Sequence, residues 1–473
     1  MRRSLFLIAL AGLGCRSTPP APPFAAKLDA AVEAALAARD LPGAAVVVVQ
    51  GDRVTYQKGY GLADLASSRP MTDSTPIVIG STSKPLTALA VLRLVQEGQL
   101  DLDAPISRYL PDLPFADDRA ATMTLRHLLT NRSGLPVGFS GPAYRQPPVT
   151  DVEALERLAG EIAATPLLFA PGEGYAYSNR GWALAGYVVQ RVSGRPIEDF
   201  MRDEVFRPLG MSGTTLAFWE VPNLVTGYAE GFAVRNHPSP PSVTRAYGPA
   251  GMIVSTPRDM GRLLAALLNE GRTAGGGQFL TPELVKLALT PQADAESELG
   301  GPTRYGLGWE VDSAFGSLTI KKAGSVHTMV TLWIMLPEQR TAVAFAFNRE
   351  DYGILPLVPN VLKILAGGEA DPFPALPAPP APPGPAGETV GGAALDALLG
   401  VYDTRTGDQT VTRRGDSLGV DPDGVPAVLV PLGGDSLAVV DDMVSHAGWV
   451  YRFRRQGGRM TLWRGAESLG VRR

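Results

Sequence analysis

The 473-residue sequence contains one cysteine and four histidines. A single thiol excludes an intramolecular disulfide, so folding must rest on the core alone. The histidines are His127, His237, His327 and His446. None is followed by a metal-type partner three or four residues on, which argues against a zinc site. Neither a metal nor a cofactor is expected. No block of five or six basic residues occurs, and the formal net charge is -4. Nucleic-acid binding therefore has no electrostatic basis. Apolar runs long enough to span a bilayer are missing as well. Lysine is scarce, most of the 43 basic residues being arginine.

What is present is the composition of a soluble globular protein, 45% apolar and 19% charged. The length exceeds one ordinary core and predicts two or more domains. Residues 1–15 read as an export signal: two arginines precede a short apolar run, Leu5 to Leu13. The run ends in "AGLGC", where Cys15 resembles the lipid-attachment site of a bacterial lipoprotein. Gly12 departs from that pattern, which prefers leucine. The alternative is a signal that is simply removed. The protein is expected in the bacterial cell envelope, periplasmic and membrane-anchored through Cys15. Residues 16–24, "RSTPPAPPF", read as a tether.

A second proline-dense stretch, 368–388, reads as a stiff spacer. It separates a body, 25–367, from a small piece, 389–473. The body opens with an amphipathic helix, "AAKLDAAVEAALAARD". A buried strand, "GAAVVVVQ", and a hairpin partner, "RVTYQKGYG", follow. Helical patterns dominate from residue 84 to about 290. Strands return at "YGLGWEVD", "SLTIKKAG", "MVTLWIML" and "TAVAFAFN". The expected fold is α+β: one antiparallel sheet built from both ends of the body, flanked by helices, with an all-helical subdomain inserted. The C-terminal piece alternates in short runs and predicts a small antiparallel β barrel or sandwich.

Chemistry concentrates in "GSTSKPLTALAVLRL". Leu86, Leu89, Ala90, Leu92 and Val95 recur at helical spacing. Gly80 and the hydroxyl residues are cap formers, and Pro85 fits only a first turn. Ser81 therefore sits at a helix N-terminus, in the positive end of the dipole. Lys84, three residues on, faces the same side. That is an activated-nucleophile arrangement without a histidine. Ser81 begins the only S-x-x-K. Tyr177 to Asn179 is the only Y-x-N, and Lys322 to Gly324 is the only K-x-G.

These triplets, in this order, resemble the serine β-lactamase and penicillin-binding protein superfamily. The resemblance is to its class C β-lactamase and D-alanyl-D-alanine carboxypeptidase-like branch. It extends through "GYGLADL", "HLLTNRSGLP", "PGEGYAYSNRGWALAGYVV", "VFRPLGMSGT", "GPAGMIVSTPRDMGRLL" and "YGLGWEV". It implies that Ser81 is acylated and that Lys84 aids its deprotonation. Tyr177 is the acylation base or shares that role with Lys84. Asn179 holds Lys84 and substrate, and Lys322, on an edge strand, keeps the site positive. The backbone N–H groups of Ser81 and Ser325 form an oxyanion hole, and Ala323 and Gly324 line the substrate. A phenolate at neutral pH needs about 4 kcal/mol, and one lysine roughly 4 Å away supplies about that at an effective dielectric near 20. Ala323 replaces the usual threonine of K-T-G, so a hydroxyl for a lactam or D-alanine carboxylate is missing. That favours an esterase or peptidase over a β-lactamase. The C-terminal piece resembles a lipocalin-like domain.

Other candidates weigh less. "GDSLG", with Ser417, lacks the strand and helix of a nucleophile elbow. His127 reads as structural and Tyr175 as a packing neighbour of "YSN" or, alternatively, a residue lining the cleft; His327, just past "KAGS", is a minor candidate for the pocket edge. The expected partner is a small-molecule or peptide substrate: an ester, a D-amino peptide or a β-lactam. Two other classes stay open: a sensor of peptidoglycan or β-lactams without turnover, and a wall- or lipid-binding role for the β domain.

Overall fold

A computed structural model describes residues 21–138, 150–229, 236–238, 244–297, 301–326 and 328–374, and the backbone of strands between 400 and 472. Cys15, the 1–20 leader, most of the 368–388 spacer, His327 and the Ser417 side chain lie outside the described residues.

Helix α1, Ala25–Arg39, buries Leu28, Val32, Ala35 and Leu36 on one stripe. It stops at Asp40, whose left-handed backbone (φ 49°) ends the helix. The strands of the body are β1 (Gly43–Gln50), β2 (Arg53–Asp64), β3 (Arg69–Pro70), β4 (Ile77–Val78), β5 (Tyr228–Ala229), β6 (His237–Pro238), β7 (Val254–Ser255), β8 (Ala293–Glu296), β9 (Pro302–Tyr305), β10 (Glu310–Asp312), β11 (Thr319–Ser325), β12 (Val330–Leu336) and β13 (Thr341–Phe347). Nine of them form one sheet in the order β3-β2-β1-β13-β12-β11-β10-β9-β8. Its neighbouring strands are antiparallel. The pairing of β1 with β13 joins the two ends of the body. The pairs β4–β7 and β5–β6 are small separate ribbons.

The remaining helices are α2 (Ser83–Gln96), α3 (Leu125–Leu129), α4 (Ala154–Ala163), α5 (Asn179–Ser193), α6 (Ile197–Met201), α7 (Gly248–Gly251), α8 (Pro257–Leu268), α9 (Pro282–Leu289) and α10 (Leu357–Leu365). The sheet is covered on both faces. Val47 and Val49 of β1 join the large core with α2, α5 and α8. Val46 and Val48 join a second core under α1 and α10. Two buried faces explain why "GAAVVVVQ" is continuously apolar instead of alternating. Helix α2 is buried from Ser83 through Leu92, so it runs through the interior and holds its N-terminus rigidly.

Two sequence expectations need correction. Lys322 is not on an edge strand, because β10, β9 and β8 extend the sheet beyond β11. The sequences "ADAE" and "PTRY" of β8 and β9 carry no apolar run, so they gave no strand signal. However, β10 pairs with β11 only over Thr319–Lys321, so the stretch from Lys322 onward extends past that pairing. The second correction concerns Ser81. It lies in a 3-10 turn, Gly80–Thr82, and the α-helix itself starts at Ser83. Between Gly400 and Arg472, eight strands pair antiparallel in chain order, and the first also pairs with the last.

Candidate active site

The 3-10 turn that carries Ser81 is pinned by close backbone contacts. Gly80 has φ +56°, and a Cβ there would lie 2.5 Å from the Ser325 nitrogen. A Cβ on Gly324 would lie 2.2 Å from the Ile79 carbonyl and 2.8 Å from the Ser81 nitrogen. Only glycine permits this approach, and it brings the backbones of Ser81 and Ser325 together. Thr82 Oγ1 and Thr331 Oγ1 both donate to the Ile79 carbonyl, at 2.6 and 2.7 Å. The turn is thereby fixed to β12 as well as β11.

Tyr177 comes from the loop that enters α5, and Asn179 is the first residue of that helix. The Ser178 hydroxyl caps α5 by accepting from the Gly181 N–H at 3.1 Å. It also donates to the Pro136 carbonyl at 2.8 Å. Asn131, at φ 56°, accepts from the Ser178 N–H at 3.3 Å and from Trp182 Nε1 at 3.0 Å. On the other side of Tyr177, the Ala176 N–H donates to the Asn131 carbonyl at 2.9 Å, so the loop is anchored both before and after it.

The convergence is tight. Ser81 Oγ shares a hydrogen bond of 2.7 Å with the Tyr177 hydroxyl. Lys84 Nζ donates to Ser81 Oγ at 2.9 Å, to Asn179 Oδ1 at 2.8 Å and to the Ala250 carbonyl at 2.6 Å. Lys84 is fully buried. Its Nζ lies 4.8 Å from the Tyr177 ring centroid. A serine oxygen held between a phenol and an ammonium can be deprotonated without a histidine.

A family model described as "Beta-lactamase" matches residues 28–354. The chain belongs to the beta-lactamase family. It is 33% identical to esterase EstB of Burkholderia gladioli over 317 residues, 60% of this chain and 79% of that protein. It is 29% identical to penicillin-binding protein 4* of Bacillus subtilis over 201 residues, 41% of this chain and 42% of that protein. The fold is similar to that of the octameric penicillin-binding protein homologue from Pyrococcus abyssi, with a TM-score of 0.64 and 22% identity over 94% of this chain and 99% of that one.

The third triplet of this family member meets the first two through Lys322. Lys322 is fully buried, with Nζ 5.2 Å from the Tyr177 ring centroid and 5.4 Å from that of Tyr305. Both lysines thus lie against the Tyr177 ring, where positive charge favours a phenolate. Ala323 alternates to the other face of β11. It sits opposite Leu332, and its methyl joins the core under α1 and α10. Its contribution to a ligand is confined to the backbone. Gly324 supplies the close approach already described, and Ser325 supplies an N–H beside that of Ser81. The Tyr175 ring lies 5.9 Å from that of Tyr305. His127 belongs to a capping box on α3: its N–H donates to Thr124 Oγ1, and its Nδ1 accepts from the Thr124 N–H at 3.3 Å. Burial holds its imidazole below the ordinary histidine value.

Three participants escaped the sequence reading. They are the Ala250 carbonyl, the Thr331 hydroxyl and Tyr305. The glycines around Ala250 were the available signal: a Cβ on Gly186 of α5 would lie 2.2 Å from Pro249, so α7 is wedged against α5. Among the described residues, no group of three His, Cys, Asp or Glu is placed to hold a metal. No described helix is long and apolar enough to cross a membrane.

Proposed function

We propose that the protein is a serine hydrolase that cleaves esters, and amides of the D-amino peptide type, through an acyl-enzyme on Ser81. The observation that carries the reading is the position of Ser81 Oγ, 2.7 Å from the Tyr177 hydroxyl and 2.9 Å from Lys84 Nζ. Lys84 directs N–H bonds at three oxygens. An ammonium that does so has no lone pair to accept a proton. We therefore assign the base to Tyr177 as its phenolate, with Lys84 and Lys322 as the cations that stabilise it.

The Ser81 proton passes to the Tyr177 oxygen as Oγ bonds to the substrate carbonyl carbon. The carbonyl oxygen, now negative, lies between the N–H groups of Ser81 and Ser325. Losing one such donor costs about 2.7 to 4 kcal/mol in other serine hydrolases. Collapse breaks the bond to the leaving alcohol or amine, which takes the proton back from Tyr177. Water then repeats the sequence on the acyl-serine, with Tyr177 again the proton acceptor.

The match to an esterase over 79% of its length supports ester substrates. Matches to penicillin-binding proteins support a second reading, acylation of Ser81 by β-lactams, with slow turnover as a lactamase or none as a sensor. Around this core we place an export signal over 1–15 with lipid attachment at Cys15, a tether over 16–24, a spacer over 368–388 and a lipocalin-like barrel over 389–473.

The test is hydrolysis of p-nitrophenyl butyrate by the wild-type and Ser81→Ala proteins, with mass spectrometry after a fluorophosphonate. The expected result is a single adduct on Ser81 and loss of activity in the variant. Undiminished turnover by Ser81→Ala would sink the reading. A lasting penicillin adduct with no turnover of any ester, peptide or lactam would favour the sensor.

A further inference from the structure

A carboxylate stands behind the oxyanion end of β11, on the face that Ala323 also occupies. Ser325 closes β11, and its Oγ donates to Glu350 Oε1 at 2.6 Å. The Tyr352 hydroxyl donates to the same oxygen at 3.0 Å. Glu350 is held from both sides. Arg349, 1% exposed, donates to the Asp40 carbonyl at 2.9 Å and to Asn236 Oδ1 at 2.7 Å. Asp351 accepts two bonds from the Arg39 guanidinium, at 2.9 and 2.6 Å. Asn348 Nδ2 donates to the Leu62 carbonyl at 3.0 Å. A backbone tied down at 348, 349 and 351 cannot carry Glu350 away without breaking bonds to largely buried groups.

The placement bears on substrate charge. An oxyanion bound by the Ser325 N–H sits about 3 Å from that nitrogen. Glu350 Oε1 is one serine side chain and one hydrogen bond further, so the scissile carbonyl lies within about 8 Å of the carboxylate.

We propose that Glu350 is a charge filter. It disfavours substrates that carry a carboxylate beside the scissile bond and favours neutral esters and those bearing an ammonium group. The proposal rests on Ser81 being the nucleophile. Like charges about 8 Å apart, at a dielectric between the protein-surface and bulk-water limits, correspond to a factor of about five.

The variant to make is Glu350→Gln, which keeps an acceptor oxygen for Ser325 and Tyr352 and removes only the charge. kcat/KM is measured for three p-nitrophenyl esters: butyrate, hemisuccinate and 4-trimethylammoniobutyrate. The hemisuccinate-to-butyrate ratio should rise about fivefold, and the trimethylammonio-to-butyrate ratio should fall about as much. In the wild type, the preference for cation over anion should shrink in 0.5 M salt, about half the Debye length or less of dilute buffer. This second measurement needs no variant to fold. A uniform change for all three esters would make Glu350 a positioning residue for Ser325 and overturn the filter. Unchanged ratios, or a salt-independent wild-type preference, would overturn it too. Turnover of the three esters by Ser81→Ala would instead defeat the nucleophile assignment, so the two failures are distinguishable.

Discussion

Strand β11 carries two adjacent lysines, one on each face of the sheet, with different partners. Lys321 lies opposite Ile334, on the side of α1 and α10. Its Nζ is 2.7 Å from an Asp312 carboxylate oxygen and 3.9 Å from one of Glu310. Lys322 lies opposite Trp333, on the side of α2, with its Nζ against the faces of Tyr177 and Tyr305. The contrast extends beyond the strand. Arg349 and Arg39 meet Asp351, at 3.2 and 2.6 Å. Lys84 gives hydrogen bonds to the neutral oxygens of Ser81, Asn179 and Ala250. A cation matched by a carboxylate has its field cancelled locally. A cation beside neutral oxygens and π clouds can stabilise a phenolate or an oxyanion that forms there. Lys84, Lys321 and Lys322 are all buried, so burial alone does not mark a functional lysine here.

Removing the proton acceptor should produce the largest effect. Tyr177→Phe should lower kcat on p-nitrophenyl butyrate by about 10² to 10⁴-fold. A stopped-flow burst that persists at the wild-type rate would return the base role to Lys84. The adjacent lysines give the direct comparison. Lys322→Met should reduce kcat by about tenfold or more with little change in thermal midpoint, since it weakens support for the phenolate. Lys321→Met should do the reverse. It leaves Asp312 and Glu310 without their ammonium, a loss of about 3 kcal/mol for a buried pair. Urea melts and kcat on both variants check this, and a shared phenotype would dissolve the distinction between the faces.

The smallest effect concerns His127. Its folded-state value lies below the ordinary 6.5, chiefly through burial. Unfolding then takes up a proton, so its contribution to stability is complete above pH 6.5 and is lost as pH falls toward the folded-state value. Melting at pH 7.5 and 5.5 should show a larger acid loss in the wild type than in His127→Gln. Equal losses would remove His127 as the cause.

Much of this was legible beforehand because it is local. Pro85, third in α2, has no N–H to lose from the helix ladder, so it marked the helix start correctly. The continuous apolar run of β1 marked a strand covered on both faces. The edge-strand assignment of Lys322 failed because β8 and β9 are polar and short, and sheet extension depends on backbone pairing that side chains do not advertise. Glu350 gave no motif, and Ala250 lay inside "GPAGMIVSTPRDMGRLL" with nothing in its side chain to mark a role. One is defined by where a loop after β13 is tied down, and the other acts through its carbonyl.

The sequence by itself determined that Ser81 and Lys84 share one side of a helix start, that two further triplets accompany them, and that strands from both ends of the body must close one sheet. Helical and strand periodicities decide which face a residue occupies, and those are properties of neighbours in the chain. Only the tertiary structure decided that Tyr177 reaches Ser81 from 96 positions away. It also decided that Lys84 is held by the Ala250 carbonyl, and that Lys322 turns toward the site while Ala323 turns from it. The physical reason is backbone proximity. Gly80 and Gly324 let two main chains touch, and that contact fixes which side chains from distant segments share a few ångströms of space.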